Sequence, residues 1–170
     1  NPEDLETRRV VCAGLIMREA SPVVASWRAS VDLHSWLAQH GVAGLHDIDT
    51  RALTGILRDQ GTMRGAITDA IDEAGLARVL GEVRASPKMD GLDLVPRVTC
   101  AARHEWTAPA WRALDEGRMA PLPPTDRRVV VYDFGVKENI LRQLREVGCQ
   151  VIVVPATTPA DAVLAERPDG

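Results

Sequence analysis

The period of the apolar positions changes several times along the 170-residue chain, and it is clearest from Arg128 to Pro155. Val129, Val130, Val131 and Tyr132 form an unbroken apolar run of the kind buried in a parallel sheet. Asp133-Phe134-Gly135 ends the run, and Gly135 allows a sharp turn that a side chain would forbid. Ile140, Leu141, Leu144 and Val147 then share one helical face. Gly148 stands where a helix stops. Val151 to Val154 is a second strand, closed by Pro155. These short connections predict a βαβ unit with a right-handed crossover. A last helix is expected from about Pro159 to Glu166, supported by Ala162, Val163 and Ala165.

Upstream the signals are shorter. Asn1 to Thr7 is polar and acidic and reads as a loop. Arg9 to Arg18 reads as a strand, broken by Ser21-Pro22. Ser30 is the expected N-cap of a helix carrying Leu33, Trp36 and Leu37, with Asp32 in its first turn. Gly41 stops that helix, and Val42 to Leu45 reads as a short strand. Asp49 or Thr50 caps the next helix, whose stripe is Leu53, Ile56 and Leu57 and which ends before Gly61. Gly55 inside it costs about 1 kcal/mol relative to Ala. Arg64 to Thr68 reads as a strand. Leu76, Val79, Leu80 and Val83 support a further helix, with Asp72 and Gly75 competing as its start. From Ser86 to Asp126 prolines break the periodicity. Leu92 to Val95 and Val98 to Cys100 are expected to be extended. Thr107 to Asp126 reads as a linker that its prolines stiffen.

Composition narrows the function classes. Hydrophobic residues make up 45% and charged residues 26%, as in ordinary globular proteins. The net charge of -4 gives no general attraction to nucleic acid. Eighteen arginines against two lysines are scattered rather than clustered, so they do not form a basic surface. No stretch approaches the ~20 apolar residues of a membrane span, and no signal-peptide pattern is present. Cys12, Cys100 and Cys149 are odd in number and widely spaced, which fits a reducing cytosol rather than a disulfide framework.

Each candidate for chemistry has a plain structural counterpart. Cys149 opens a strand, and no glycine-rich elbow surrounds it. Cys149 and Cys12 are therefore expected to be buried structural thiols. Cys100 lies in the irregular region, where pattern assigns it nothing. His34, His40 and His46 recur every six residues, which puts them on different helical faces, so no metal site is expected there or at His104-Glu105. Asp133 to Lys137 follows a strand and opens a helix, the place where backbone N–H groups bind anions. It has one glycine, short of a nucleotide-binding fingerprint. Either Lys137 and the helix end hold a carboxylate, or Asp133 caps the turn and Lys137 is solvated. Asp47, Asp49 and Arg51 are explained by helix capping and a surface ion pair. Glu138 and Asn139 read as helix-surface groups.

Four collinear segments carry a resemblance: NPEDLE at the start, LHDIDTRALT in the middle, DFG-x-K-x-N-I at Asp133 to Ile140, and VVPATT near the end. Together they resemble the small, glutamine-hydrolysing subunit of carbamoyl phosphate synthetase, over nearly the whole chain except Arg84 to Asp126. The resemblance implies an α/β chain in two parts. Residues 1–109 correspond to the back part of a layered αβ amino-terminal domain that binds the large subunit. Residues 110–126 are the linker. Residues 127–170 correspond to the first βαβα of a doubly wound class I glutamine amidotransferase domain. A two-stranded start of such a sheet leaves apolar faces uncovered.

The resemblance further implies a cytoplasmic ligase subunit working as a heterodimer. It would supply ammonia from glutamine to a large subunit that uses ATP and Mg to make carbamoyl phosphate for arginine and pyrimidine synthesis. The family's mechanism uses a cysteine thiolate activated by histidine and glutamate, the cysteine lying in a G-x-C-x-G turn. That pattern does not occur here, so no catalytic, cofactor-binding or metal-binding residue is assigned and these residues alone are expected to be inactive. The chain corresponds to the middle of the family's protein. Lys137 and Asn139 match the family motif and are candidates for contacting the rest of the subunit or its partner. Two other readings follow from the residues alone. One is a non-catalytic small α/β module that docks a partner. The other is a small α/β enzyme with its site at Asp133 and Lys137. A G-x-C-x-G segment encoded beyond Gly170 would separate the first reading from both.

Overall fold

The computed structural model describes residues 4–7, 10–110 and 122–170. The expected strand start at Arg9, Trp111 and most of the expected linker lie outside the described residues. The chain forms two compact units. One ends at Leu92, and the other combines residues 4–7 with the chain from Asp93 onward.

In the first unit, β1 (Gly14–Ile16) pairs in parallel with β2 (Ala43–Leu45), Leu15 opposite Gly44, and α1 (Leu33–Gln39) lies between them in sequence. The N-cap of α1 is Asp32, not Ser30. Its carboxylate accepts the Ser35 N–H at 2.8 Å and the Ser35 hydroxyl at 2.7 Å. A carboxylate three residues ahead of a free helix N–H is the better acceptor, and it is favoured by the positive helix end. Leu37 and Val42 are this unit's buried apolar residues. Asp49 caps α2 (Thr50–Gln60) through the Ala52 N–H at 2.9 Å, and Asp72 caps α3 (Glu73–Ala85) through the Gly75 N–H at 2.8 Å. Both helices form where the apolar spacing predicts them, yet neither has a buried residue. Arg64 to Thr68 is not a strand. Instead the Arg64 guanidinium donates to the carbonyls of Arg84 and Ser86 at the end of α3.

In the second unit the expected βαβ is present. β4 (Arg127–Asp133) and β5 (Cys149–Pro155) are parallel, with Val129 opposite Val151, and α4 (Glu138–Glu146) connects them. Gly148 ends the helix at φ +86°, and a Cβ there would stand 2.9 Å from the Pro124 carbonyl, so glycine is required. The sheet is not two-stranded. A strand absent from the apolar pattern, β3 (His104–Trp106), runs antiparallel on the free side of β5, with Trp106 opposite Val151. The order β3-β5-β4 makes β5 central, and Val151 to Val154 are at most 2% exposed. Trp106, Leu141 and Cys149 complete the core, and the Trp106 indole N–H is satisfied by the Ala108 carbonyl at 2.8 Å. On α4 the buried residues are Leu141 and Arg142, while Ile140 and Val147 of the expected stripe are exposed. Leu92 to Val95 and Val98 to Cys100 were expected to be extended, but this stretch contains a 3-10 turn at Val95–Arg97. After α5 (Ala160–Ala165) the chain returns to β4. The Gly170 N–H donates to the Arg128 carbonyl at 3.3 Å, and the Gly170 carbonyl accepts the Val130 N–H at 3.0 Å. This alternation is that of a parallel ladder.

Candidate functional site

The carboxyl end of β4 gathers the groups that the sequence singles out. Asp133 is buried, and its carboxylate accepts from three backbone N–H groups. Oδ1 accepts from Gly135 and Val136, each at 2.9 Å, and Oδ2 accepts from Cys100 at 2.7 Å. A carboxylate held by three N–H groups is a turn cap, the structural alternative weighed for this residue. Gly135 takes φ +93°, with Val98 3.1 Å from where its Cβ would be. Phe134 is 60% exposed and lies 6.1 Å from the Tyr132 ring, whose hydroxyl donates to the Thr158 carbonyl at 3.1 Å. Thr99 Oγ1 accepts the Ala156 N–H at 2.9 Å. The segment from Val98 to Cys100 thus closes over the ends of both β4 and β5. Burial, and then the nearby Asp133 carboxylate, push the Cys100 thiol up from its ordinary value. It is held as the protonated thiol, the unreactive form.

The start of α4 does hold a carboxylate, and that carboxylate belongs to the chain itself. Lys137 is the N-cap and gives no side-chain cap. The Glu138 N–H donates to the Glu6 carbonyl at 3.1 Å, and the Asn139 N–H donates to Glu6 Oε2 at 2.9 Å. Arg142 Nη2 donates to the Leu5 carbonyl at 2.8 Å and to Glu138 Oε2 at 2.7 Å. Its guanidinium lies 5.9 Å from the centre of the Trp106 ring. Glu138 is therefore a half-buried ion-pair partner rather than a helix-surface group. Asn139 and Lys137 are exposed. Sequence reasoning missed Glu6 and Arg142. The i,i+4 spacing of Glu138 and Arg142 was a usable signal for their pairing. Nothing in the sequence marks a partner more than 130 residues away.

The other candidates stay apart. Cys149 is buried as expected, but Cys12 is exposed, because β1 begins only at Gly14. His34 lies in α1, His40 is its C-cap with its ring tilted against Trp36 at 4.5 Å between centroids, and His46 pairs with Asp47 at 2.7 Å. Among the described residues no three His, Cys, Asp or Glu groups are placed to hold a metal ion. Nor is any helix among them long and apolar enough to cross a membrane.

Residues 1–67 match the family model described as carbamoyl-phosphate synthase small chain, CPSase domain. The carbamoyl phosphate synthase small chain of Thioalkalivibrio sulfidiphilus is 46% identical, an alignment covering all of this chain and 44% of that protein. The protein of the same name from Syntrophotalea carbinolica is 43% identical, over all of this chain and 44% of its own length. That of Pseudomonas aeruginosa is 44% identical, over 99% of this chain and 45% of its own length. The chain thus spans less than half the length of the relatives it matches. Along its whole length the chain is similar to part of the carbamoyl phosphate synthase small chain.

Proposed function

We propose that this chain is part of a small subunit that supplies ammonia from glutamine to the large subunit of carbamoyl phosphate synthetase. In the complete enzyme a cysteine thiolate, activated by histidine and glutamate, attacks the glutamine amide carbon and expels ammonia. Water then cleaves the thioester to give glutamate. The large subunit consumes the ammonia, with ATP and Mg, to make carbamoyl phosphate for arginine and pyrimidine synthesis in the cytoplasm. The observation that carries this reading is the 46% identity along the whole chain to a carbamoyl phosphate synthase small chain.

In this reading residues 1–109 belong to the layered, large-subunit-binding domain, 110–126 to the linker, and 127–170 to the opening of the doubly wound amidotransferase sheet. The ladder bonds of Gly170 on β4 support the last part, because a strand on that side of β4 would give β5-β4-next, the order in which doubly wound sheets reverse direction. Asp133 then caps the turn at the point of reversal and does no chemistry itself. Residues 1–170 are inactive as a glutaminase in this reading, because none of Cys12, Cys100 and Cys149 stands in a G-x-C-x-G turn, and Cys149 is buried as well.

The test is co-purification with the large synthetase subunit, comparing the 170-residue chain with a full-length small subunit, together with a glutaminase assay of each. Retention of both proteins, with ammonia release from the full-length one only, is expected. Glutaminase activity of the 170-residue chain would overturn the inactivity assignment. Failure of the full-length protein to bind would favour a module that docks some other partner.

A further inference from the structure

An α-helix begins with four N–H groups that its own backbone leaves without partners. In the first unit the aspartates Asp32, Asp49 and Asp72, each next to its helix, meet this need. α4 has no such residue. Its N-cap, Lys137, has only donors in its side chain, and the positive helix end disfavours a cation there. The acceptors come instead from Leu5 and Glu6, which supply two carbonyls and a carboxylate to Glu138, Asn139 and Arg142. Arg142 is only 8% exposed, so its charge needs these acceptors too.

We propose that residues 4–7 act as a strap, a remote cap whose docking fixes the first turn of α4 and the setting of Arg142 against Trp106. The strap takes the place of the local capping residue that the sequence lacks before Glu138. It lies within the residues that match the small-chain family model, yet it packs in the unit that carries the βαβ. The order of the turn after Asp133 therefore depends on a peptide from the far end of the sequence. When the strap lifts, two helix N–H groups and a buried guanidinium face water together, so its release is a discrete switch rather than local fraying. This holds whether or not the glutaminase reading is correct.

Nuclear magnetic resonance on the whole 170-residue chain tests this directly. A through-space contact between the Glu6 side chain and the Asn139 amide is expected in the unaltered protein. In Glu6→Ala, hydrogen exchange at Asn139 should quicken about tenfold, the scale of a lost helix cap, while Val151 and Val153 keep their protection. Glu6→Gln, which keeps an acceptor oxygen but no charge, should fall in between. Absence of the Glu6–Asn139 contact in the unaltered chain overturns the proposal, and so does unchanged Asn139 exchange in Glu6→Ala. If Glu6→Ala does not fold, the contact in the unaltered chain and the Glu6→Gln exchange decide the matter.

Discussion

α2 and α4 are both amphipathic helices of about the same length, but they stand in different surroundings. α2 follows its apolar stripe and buries nothing: Ile56 is 45% exposed. On α4 two of the four expected stripe members, Ile140 and Val147, are exposed, yet Leu141 is only 2% exposed. The difference is the neighbour. Leu141 packs with Val151 and Val153 of β5, which is covered by a strand on each side. An apolar period states which face of a helix is available for burial. A central strand decides whether that face is used.

The sharpest way to test this contrast is to truncate both helices. Leu141→Ala should lower the unfolding free energy by about 2–5 kcal/mol, as for a fully buried leucine. Ile56→Ala should cost less, about 1 kcal/mol, because nearly half of Ile56 is already in water. Denaturant melts of the two variants measure both. Equal losses would mean that α2 is buried in solution and that the contrast is false.

Asp133 comes next in size. Asp133→Ala strips the acceptor from the N–H groups of Cys100, Gly135 and Val136, and should cost about 1–3 kcal/mol in the same melts. Asp133→Asn keeps one acceptor oxygen and should recover part of the loss. If both variants melt like the unaltered chain, the three bonds are replaced by water and the turn does not need this carboxylate.

What the sequence made legible follows from the range of the interaction. β4, α4 and β5 were readable because Val129 to Val154 contains both the strand pattern and its punctuation, Gly135 and Gly148. Asp49 and Asp72 were among the local candidates, beside Thr50 and Gly75, because a cap and its N–H lie three residues apart, but Asp32 at the same spacing was passed over for Ser30. β3 was not readable. His104-Glu105-Trp106 has no alternation to speak of, and it is a strand because the free edge of β5 offers it hydrogen bonds. Arg64 to Thr68 failed the opposite way: its residues suit a strand, but no strand is assigned there. At the site, the Asp133 turn cap could be weighed from local residues. The Glu6 acceptors and the Cys100 link to Asp133 join residues 133 and 33 apart, and no local pattern encodes them. The two-stranded expectation for the second sheet failed for the same reason.

Local and remote capping can also be compared by mutation. Asp49→Ala should destabilise the chain by about 1 kcal/mol, read as a lower helix content on heating by circular dichroism. Its effect on hydrogen exchange should stay within the first turn of α2. Glu6→Ala, by contrast, should act on a helix more than 130 residues away in sequence. If Asp49→Ala also loosened residues outside α2, local capping would not be the distinguishing property of the first unit's helices.

The smallest effect expected is that of the pair joining β3 to the end of α5, Arg103 and Glu166, a two-pronged contact at 2.8 and 3.0 Å. The hydrogen bonds from Arg103 hold the Glu166 carboxyl below its ordinary value, and the same contact raises Arg103. The sign then follows. A carboxyl whose pKa is lower in the folded state stabilises that state fully above its unfolded value, and the stabilisation is lost as the pH falls through the folded one. Arg103 stays charged across this range, so Glu166 alone sets the window. Unaltered protein should therefore exceed Glu166→Gln in stability at neutral pH, with the gap closing on acidification below the usual carboxylate range. Both side chains are partly exposed, so the gap should be small and should shrink in high salt. Denaturant melts of both proteins from neutral to acid pH measure it. A gap that persists unchanged into acid would mean that Glu166 acts through packing rather than charge, leaving the edge strand β3 held by its ladder to β5 and by Trp106.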